Sequence, residues 1–321
     1  MPEKPSTSPR MSYVLVTDGF ETIRSVVDCL REQTVRGRLE LVLVAPSEDA
    51  VATGRGEFEG FGSVRVVPVG ASLTLGDARA AGVRAASAPV VFIGETHSFP
   101  HSRLVETLLE AHEGPWAVVV PGFGNVNPDG VLSWAGFLSD YGAWVAELPG
   151  AEIDYAPIYN ASYRRSVLLE LGDALGGALS QGDGMLTALR EGQHRIYFEP
   201  AARIDHLNMS QPTAYVRERY GAGVLIAGER ARRWPWRQRL LYLAGAPLLP
   251  AVYVSRVRSG VRMVRRSARM PLGTSAAVLL GCVAKAAGEM TGYALGPRPA
   301  AEPRMTEYEL HKAAYVSTAE R

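Results

Sequence analysis

Glu95 and His97 are the pair in this sequence best suited to chemistry. They stand two positions apart, directly after the apolar, β-branched run Val90-Val91-Phe92-Ile93 and Gly94. On an extended backbone, residues two apart share a side. A carboxylate and an imidazole so placed can reach one divalent cation or one substrate hydroxyl. The plainer use of the same two groups is to hydrogen-bond loop backbone. Other chemistry-bearing residues are Thr17, Asp18 and Glu21, which follow a second apolar run, Arg79 in an Ala-rich stretch, and Asp183 ahead of a helical run. Asp18 and Asp183 are equally suited to capping the helices that follow them, and Arg79 to a surface ion pair.

The elements that must position these residues show in the periodicity. Residues 13–17, 39–45, 64–69, 90–93 and 116–121 read as strands. Residues 20–31 read as a helix with Ile23, Val26, Val27 and Leu30 on one face, and residues 76–86 and 104–112 as two more. Strands alternating with helices predict an α/β fold with a parallel, Rossmann-like sheet and right-handed crossovers. The C-terminal edge of such a sheet is where ligands bind, and Thr17, Asp18, Glu21, Glu95 and His97 all fall there. Past Trp134 the pattern reads as irregular and aromatic (Phe137, Tyr141, Trp144, Tyr155, Tyr159, Tyr163). Helices return at 166–171 and 184–191, followed by a short strand at 195–198 and a loop ending at His206.

The 321 residues are 47% hydrophobic and 21% charged, enough for one large α/β domain with an appendage. The net charge of +1 conceals an asymmetry. Residues 211–270 hold thirteen arginines against two acids, Glu218 and Glu229, so the rest of the chain is net acidic. Cys29 and Cys282, far apart, make neither a zinc pattern nor a disulfide framework and suit a reducing cytoplasm. The organisation expected is a polar, disordered lead-in (1–11), the α/β domain (12–208), a basic and apolar helical extension (209–296) and a polar, peripheral tail (297–321). The lead-in lacks the apolar core of a secretory signal.

In the extension, the uncharged stretch 240–254 is shorter than the ~20 residues a spanning helix needs, and Pro247 and Pro250 interrupt it. The stretch 272–295 contains Lys285 and Glu289. Helices lying on an anionic membrane surface, with Trp anchors and Arg at the headgroups, are expected. That places the protein peripherally on the cytoplasmic face of the cell membrane. A soluble helical cap is the alternative. Nucleic acid is not expected as a partner, because long apolar stretches interleave the basic ones.

Several motifs occur in an order that resembles a family 2 glycosyltransferase of the GT-A fold, over residues 12–208. Val14-Leu15-Val16-Thr17 with Glu21-Thr22-Ile23 resembles that family's first strand and helix. Ala78-Arg79-Ala80-Ala81-Gly82 resembles its A-R-N-x-G helix, and residues 91–100 its strand ending in Asp-x-Asp. Asn160 with Tyr163-Arg164-Arg165 resembles its acceptor-side N-x-x-x-R-R segment, and residues 189–206 its L-x-x-x-G-x-R-I-x-x-x-P-x-A-x-x-x-H.

The resemblance implies transfer of a sugar from a nucleotide-sugar donor to a hydroxyl of a lipid-linked or secondary-metabolite acceptor. It also implies a divalent metal, Mn²⁺ or Mg²⁺, held by Glu95 and His97 with His206 as third ligand, and Asp183 as general base. Thr17, Asp18, Glu21, Arg79, Glu95 and Asn160 would contact donor or acceptor. The departures are marked: Ala45-Pro46 replaces the acidic pair after the second strand, Glu95-Thr96-His97 replaces Asp-x-Asp, and Gln181-Gly182 replaces Glu-Asp. A non-catalytic binding relative is therefore the second expectation.

Overall fold

The structure is a computed structural model, and it describes residues 8–53, 56–70, 74–180, 184–267 and 270–318. The expected start is there. β1 (Met11–Val16) leads to α1 (Phe20–Arg31), β2 (Leu39–Ala45), β3 (Ser63–Pro68), α2 (Leu75–Ala85) and β4 (Val90–Ile93). β1 and β2 are almost wholly buried, as strands covered by helices on both faces must be. α1 turns Ile23, Val26, Val27 and Leu30 inward. α2 is capped by Thr74, whose hydroxyl accepts from the Asp77 amide at 3.1 Å. Glu40 is buried in β2, where its carboxylate accepts from the Ser12 hydroxyl and, at 2.7 Å, from the Ser87 amide. Those bonds offset the cost of taking the charge out of water.

β5 (Ser98–Pro100), α3 (Leu104–Ala111) and β6 (Val118–Asn125) follow. The aromatic stretch then forms α4 (Val131–Tyr141), a helix where the sequence reads as irregular. Gly136 and two serines mask the spacing, yet Trp134, Phe137, Leu138 and Tyr141 recur at helical intervals and are buried. After β7 (Ala151–Ile153), β8 (Ala161–Arg164), α5 (Arg165–Leu169), α6 (Leu175–Ala178) and α7 (Gly184–Glu191), β9 (Ile196–His206) runs through Pro200, where the sequence predicts a loop.

Among the described residues the sheet has nine strands, in the order β3-β2-β1-β4-β8-β6-β9-β5, with β7 beside β9. The expected parallel block is β3-β2-β1-β4. Beyond it β8 runs antiparallel to both β4 and β6, so the sheet is mixed. The fold is thus α/β, a Rossmann-like sheet flanked by helices, with a helical C-terminal region: α8 (Pro212–Arg233), α9 (Trp236–Gly245), α10 (Leu249–Ser267), α11 (Thr274–Leu295) and α12 (Glu302–Leu310).

The chain forms two compact units, residues 1–122 with 149–205, and residues 123–148 with 206–321. Their limits fall near the C-terminal ends of β6 and β9, so His206 closes a sheet strand. In the second unit α8 and α11 pack at backbone distance: a Cβ on Gly288 would lie 2.0 Å from the Tyr220 carbonyl, and one on Gly223 2.1 Å from that of Lys285. Arg219 on α8 grips Asp140 on α4 with two bonds of 2.6 and 2.7 Å. Burial works against the Asp140 charge, but Arg219 outweighs it and holds the carboxyl below its ordinary value.

α11 packs one side into this unit, with Glu289 buried between Tyr253, Tyr293 and Arg230, and leaves Leu279, Leu280, Val283 and Met290 exposed on the other. Met305 and Tyr308 of α12 are buried with Met209 and Ala214. The polar lead-in falls mainly on residues 1–7, outside the described residues.

Candidate functional site

β4 ends at Ile93, and the chain then turns Glu95, Thr96, His97 and Ser98 inward, all buried. A buried carboxylate needs partners. Glu95 Oε2 accepts from Asn160 Nδ2 at 2.5 Å and from Ser98 Oγ at 3.1 Å, and lies 3.4 Å from His97 Nε2. Asn160 is fully buried and sits at φ 52°, the left-handed region that Asn tolerates better than most residues. Its amide N–H donates to the Ile93 carbonyl at 2.6 Å and its side chain also donates to Ser98 Oγ at 2.8 Å. The turn thereby points the Asn160 amide at Glu95.

His206 is buried at the end of β9, against the Tyr141 ring at 4.7 Å between centroids. Its Nδ1 is 2.8 Å from Asn208 Oδ1. Asn208 Nδ2 already donates to the His206 carbonyl and to Asn125 Oδ1, each at 2.9 Å, so Asn208 offers Nδ1 an acceptor. The ring proton therefore belongs on Nδ1 and the lone pair on Nε2, the state that a partner of this kind imposes on a metal-binding histidine.

One ligand atom each from Glu95, His97 and His206 lie within 4.8 Å of one another, all in buried residues. One carboxylate oxygen and two imidazole nitrogens fit Mn²⁺ or another cation of intermediate softness better than Mg²⁺, which prefers oxygen alone. Of the two metals that the resemblance implies, the donor set therefore fits Mn²⁺ better than Mg²⁺.

The other expected residues are placed as follows. Thr17, Asp18 and Glu21 gather at the β1–α1 junction, on the strand next to β4, with Val14 opposite Ile93. Thr17 is buried and its hydroxyl donates to the Gly19 carbonyl at 2.6 Å. Asp18 is exposed and accepts from the Thr22 hydroxyl at 2.6 Å, while the cap of α1 is Gly19. Glu21 is exposed and paired with Arg24 at 2.5 Å, which holds its carboxyl below the ordinary value. Arg79 is buried, its guanidinium 3.7 Å from the centre of the Tyr159 ring, so a surface ion pair is excluded. Asp183, with Gln181 and Gly182, lies outside the described residues.

Ser98, Asn208 and the Arg79–Tyr159 stack are the parts of the neighbourhood that sequence reasoning missed. Asn208, two positions past His206, was the one with a visible signal.

No family model matches the chain, and no curated protein matches it in sequence. Solved structures do. GalNAc-T7 with UDP, GalNAc and Mn²⁺ is 15% identical, over 61% of this chain and 43% of that one, with a TM-score of 0.45. The mannosyltransferase PcManGT from Pyrobaculum calidifontis, in complex with GDP-Man and Mn²⁺, is 17% identical over 94% of this chain and 88% of that one, at 0.47. S. aureus TarS is 16% identical over 68% of this chain and 64% of that one, at 0.44. The chain thus spans less than half of GalNAc-T7 and just under two thirds of TarS. Their ligands belong to those proteins.

Proposed function

We propose that this protein is a glycosyltransferase that moves a sugar from a nucleotide-sugar donor to an acceptor hydroxyl. The observation that carries the reading is the buried Glu95–His97–His206 set. It stands where neighbouring parallel strands of a Rossmann-like block end, the usual place for a nucleotide.

In the reaction, the bond between the sugar's anomeric carbon and the diphosphate breaks as the acceptor oxygen bonds to that carbon, and the acceptor's proton must leave. Glu95, His97 and His206 would hold a divalent metal, which would neutralise the charge gathering on the departing diphosphate. Asn160 and Ser98 fix the Glu95 carboxylate, and Asn208 fixes the His206 ring. Asp183 is the proposed base for the acceptor proton. Thr17, Asp18 and Glu21 are proposed to meet the nucleoside, and Arg79 the diphosphate. The acceptor is proposed to be lipid-linked or a secondary metabolite.

A second reading, a binding protein without turnover, is favoured by one observation. The end of β2, where the resembled family carries acids, is Ala45-Pro46, with Ala45 buried.

Thermal-shift titration with a panel of nucleotide sugars, with and without Mn²⁺, tests both. Donor binding that needs Mn²⁺ is expected, and it should vanish in Glu95→Ala and His97→Ala. Asn160→Gly keeps the left-handed turn but loses the amide, and should weaken metal binding about 10- to 100-fold. Stabilisation that ignores the metal, or survives Glu95→Ala, would sink the metal assignment. Binding without release of nucleoside diphosphate across a broad acceptor panel would favour the second reading.

A further inference from the structure

The helical stretch Trp236–Arg266 is, among the described residues, long and apolar enough to cross a membrane. Pro247 and Pro250 do not break it. Pro247 lies in a single 3₁₀ turn at Ala246–Leu248 and Pro250 in the first turn of α10, so α9 runs into α10 as one rod. Only a narrow stripe of the rod is buried: Ala246, Val257, Gly260 and Val264. Gly260 seats it, since a Cβ there would lie 1.7 Å from the Gly142 carbonyl.

The rest faces outward in two chemically distinct halves. Trp236, Leu240, Leu241, Leu248, Val252 and Val254 are exposed apolar residues. Arg256, Arg258, Arg262, Arg265 and Arg266 are exposed and, among the described residues, have no carboxylate partner. From Trp234 to Leu295 the single acid is Glu289, which is buried. α11 adds a stripe of its own, with Leu279, Leu280, Val283 and Met290 exposed on one side. A surface this apolar, fringed by arginine alone, is an interaction site.

We infer that this face lies flat on an anionic lipid bilayer, the apolar half at the headgroup–acyl boundary and the arginines on lipid phosphates. Spanning is disfavoured by two observations. The charge-free run from Leu240 to Ser255 is roughly 24 Å long at 1.5 Å per residue, short of a hydrocarbon core of about 30 Å. The stripe around Gly260 also ties α10 to the helical unit along its length. Lying flat satisfies both halves, because Arg can bury its stem and keep its charge among headgroups. Nucleic acid would leave the apolar half unused. A second copy of the chain would bring two arginine rows together.

Flotation of the full chain with vesicles of phosphatidylcholine, alone or mixed with phosphatidylglycerol, at low and high salt, tests this. Binding to the mixed vesicles, absent on phosphatidylcholine alone and released by salt, is expected. The triple change Arg256→Glu, Arg258→Glu, Arg262→Glu should weaken it about 100-fold. Trp236→Ser with Leu241→Ser should weaken it even at low salt. Both variants should keep the parent's melting curve and donor-induced shift, which separates this result from the glycosyltransferase reading. Four outcomes would overturn the inference: no flotation, equal flotation on both vesicles, membrane retention that resists alkaline carbonate, or a dimer or nucleic-acid complex that these substitutions abolish while vesicles are ignored.

Discussion

At the scale of single residues, the buried carboxylates and imidazoles considered above take their orientation from hydrogen-bond partners. Glu95 and Glu40 are held by hydrogen bonds that reach across the sequence, and His206 by Asn208 two positions on. His112 is a further case, with a measurable consequence. Its Nε2 lies 2.9 Å from Ser162 Oγ, and burial, with the nearby Arg164 charge, pushes its pKa down to about 4 from the ordinary 6.5. Between these values the unfolded chain takes up a proton that the folded chain refuses. Stability should therefore fall as pH drops from 6.5 towards 4, by on the order of 3 kcal/mol, and level off below. Denaturant titrations over that range check it: His112→Gln should flatten this part of the slope, and an unchanged slope would show that His112 is not its source.

At the scale of elements, the helical unit depends on small residues where backbones meet. Gly288 has no room for a side chain beside the Tyr220 carbonyl, so Gly288→Val must push α11 off α8. A loss of about 3 kcal/mol or more is expected, seen as a lower melting temperature. A variant melting like the parent would mean that α8 and α11 do not touch there. Which elements were legible follows from their period and length. α1, β2, β4 and α7 match their sequence readings end to end, because each has an unbroken period or a solid apolar run. β5, β7 and β8 have three or four residues, too few to carry a period. The sequence of β9 reads as a strand only as far as Phe198, because Pro200 looks like a terminator, yet the strand continues past it. At the site, Glu95 and His97 were legible because they share one strand end. Their supports were not, because Asn160 reaches Glu95 through a turn that no local pattern announces.

At the scale of the whole molecule, the path of the chain matters. The helical unit needs residues 123–148, and α4 buries Trp134, Phe137 and Leu138. A chain ending at Asn208 would keep α4 but lose α8, with the Arg219 grip on Asp140, and α11. Such a truncation should be poorly soluble or melt well below the full chain; a soluble product with the parent's melting point would show that α4 does not depend on them. Point substitutions on the outer face are therefore the better probes of membrane binding.

The same path sets a waiting time during synthesis. α4 leaves the ribosome about 150 residues before the end of α11, a delay of roughly 8 to 30 s at 5–20 residues per second. Throughout it, a Trp-, Phe- and Leu-bearing helix lacks α11, the helix it packs on most. The nascent chain is thus a natural client for a holdase chaperone, and slowing translation after residue 148 would lengthen that exposure.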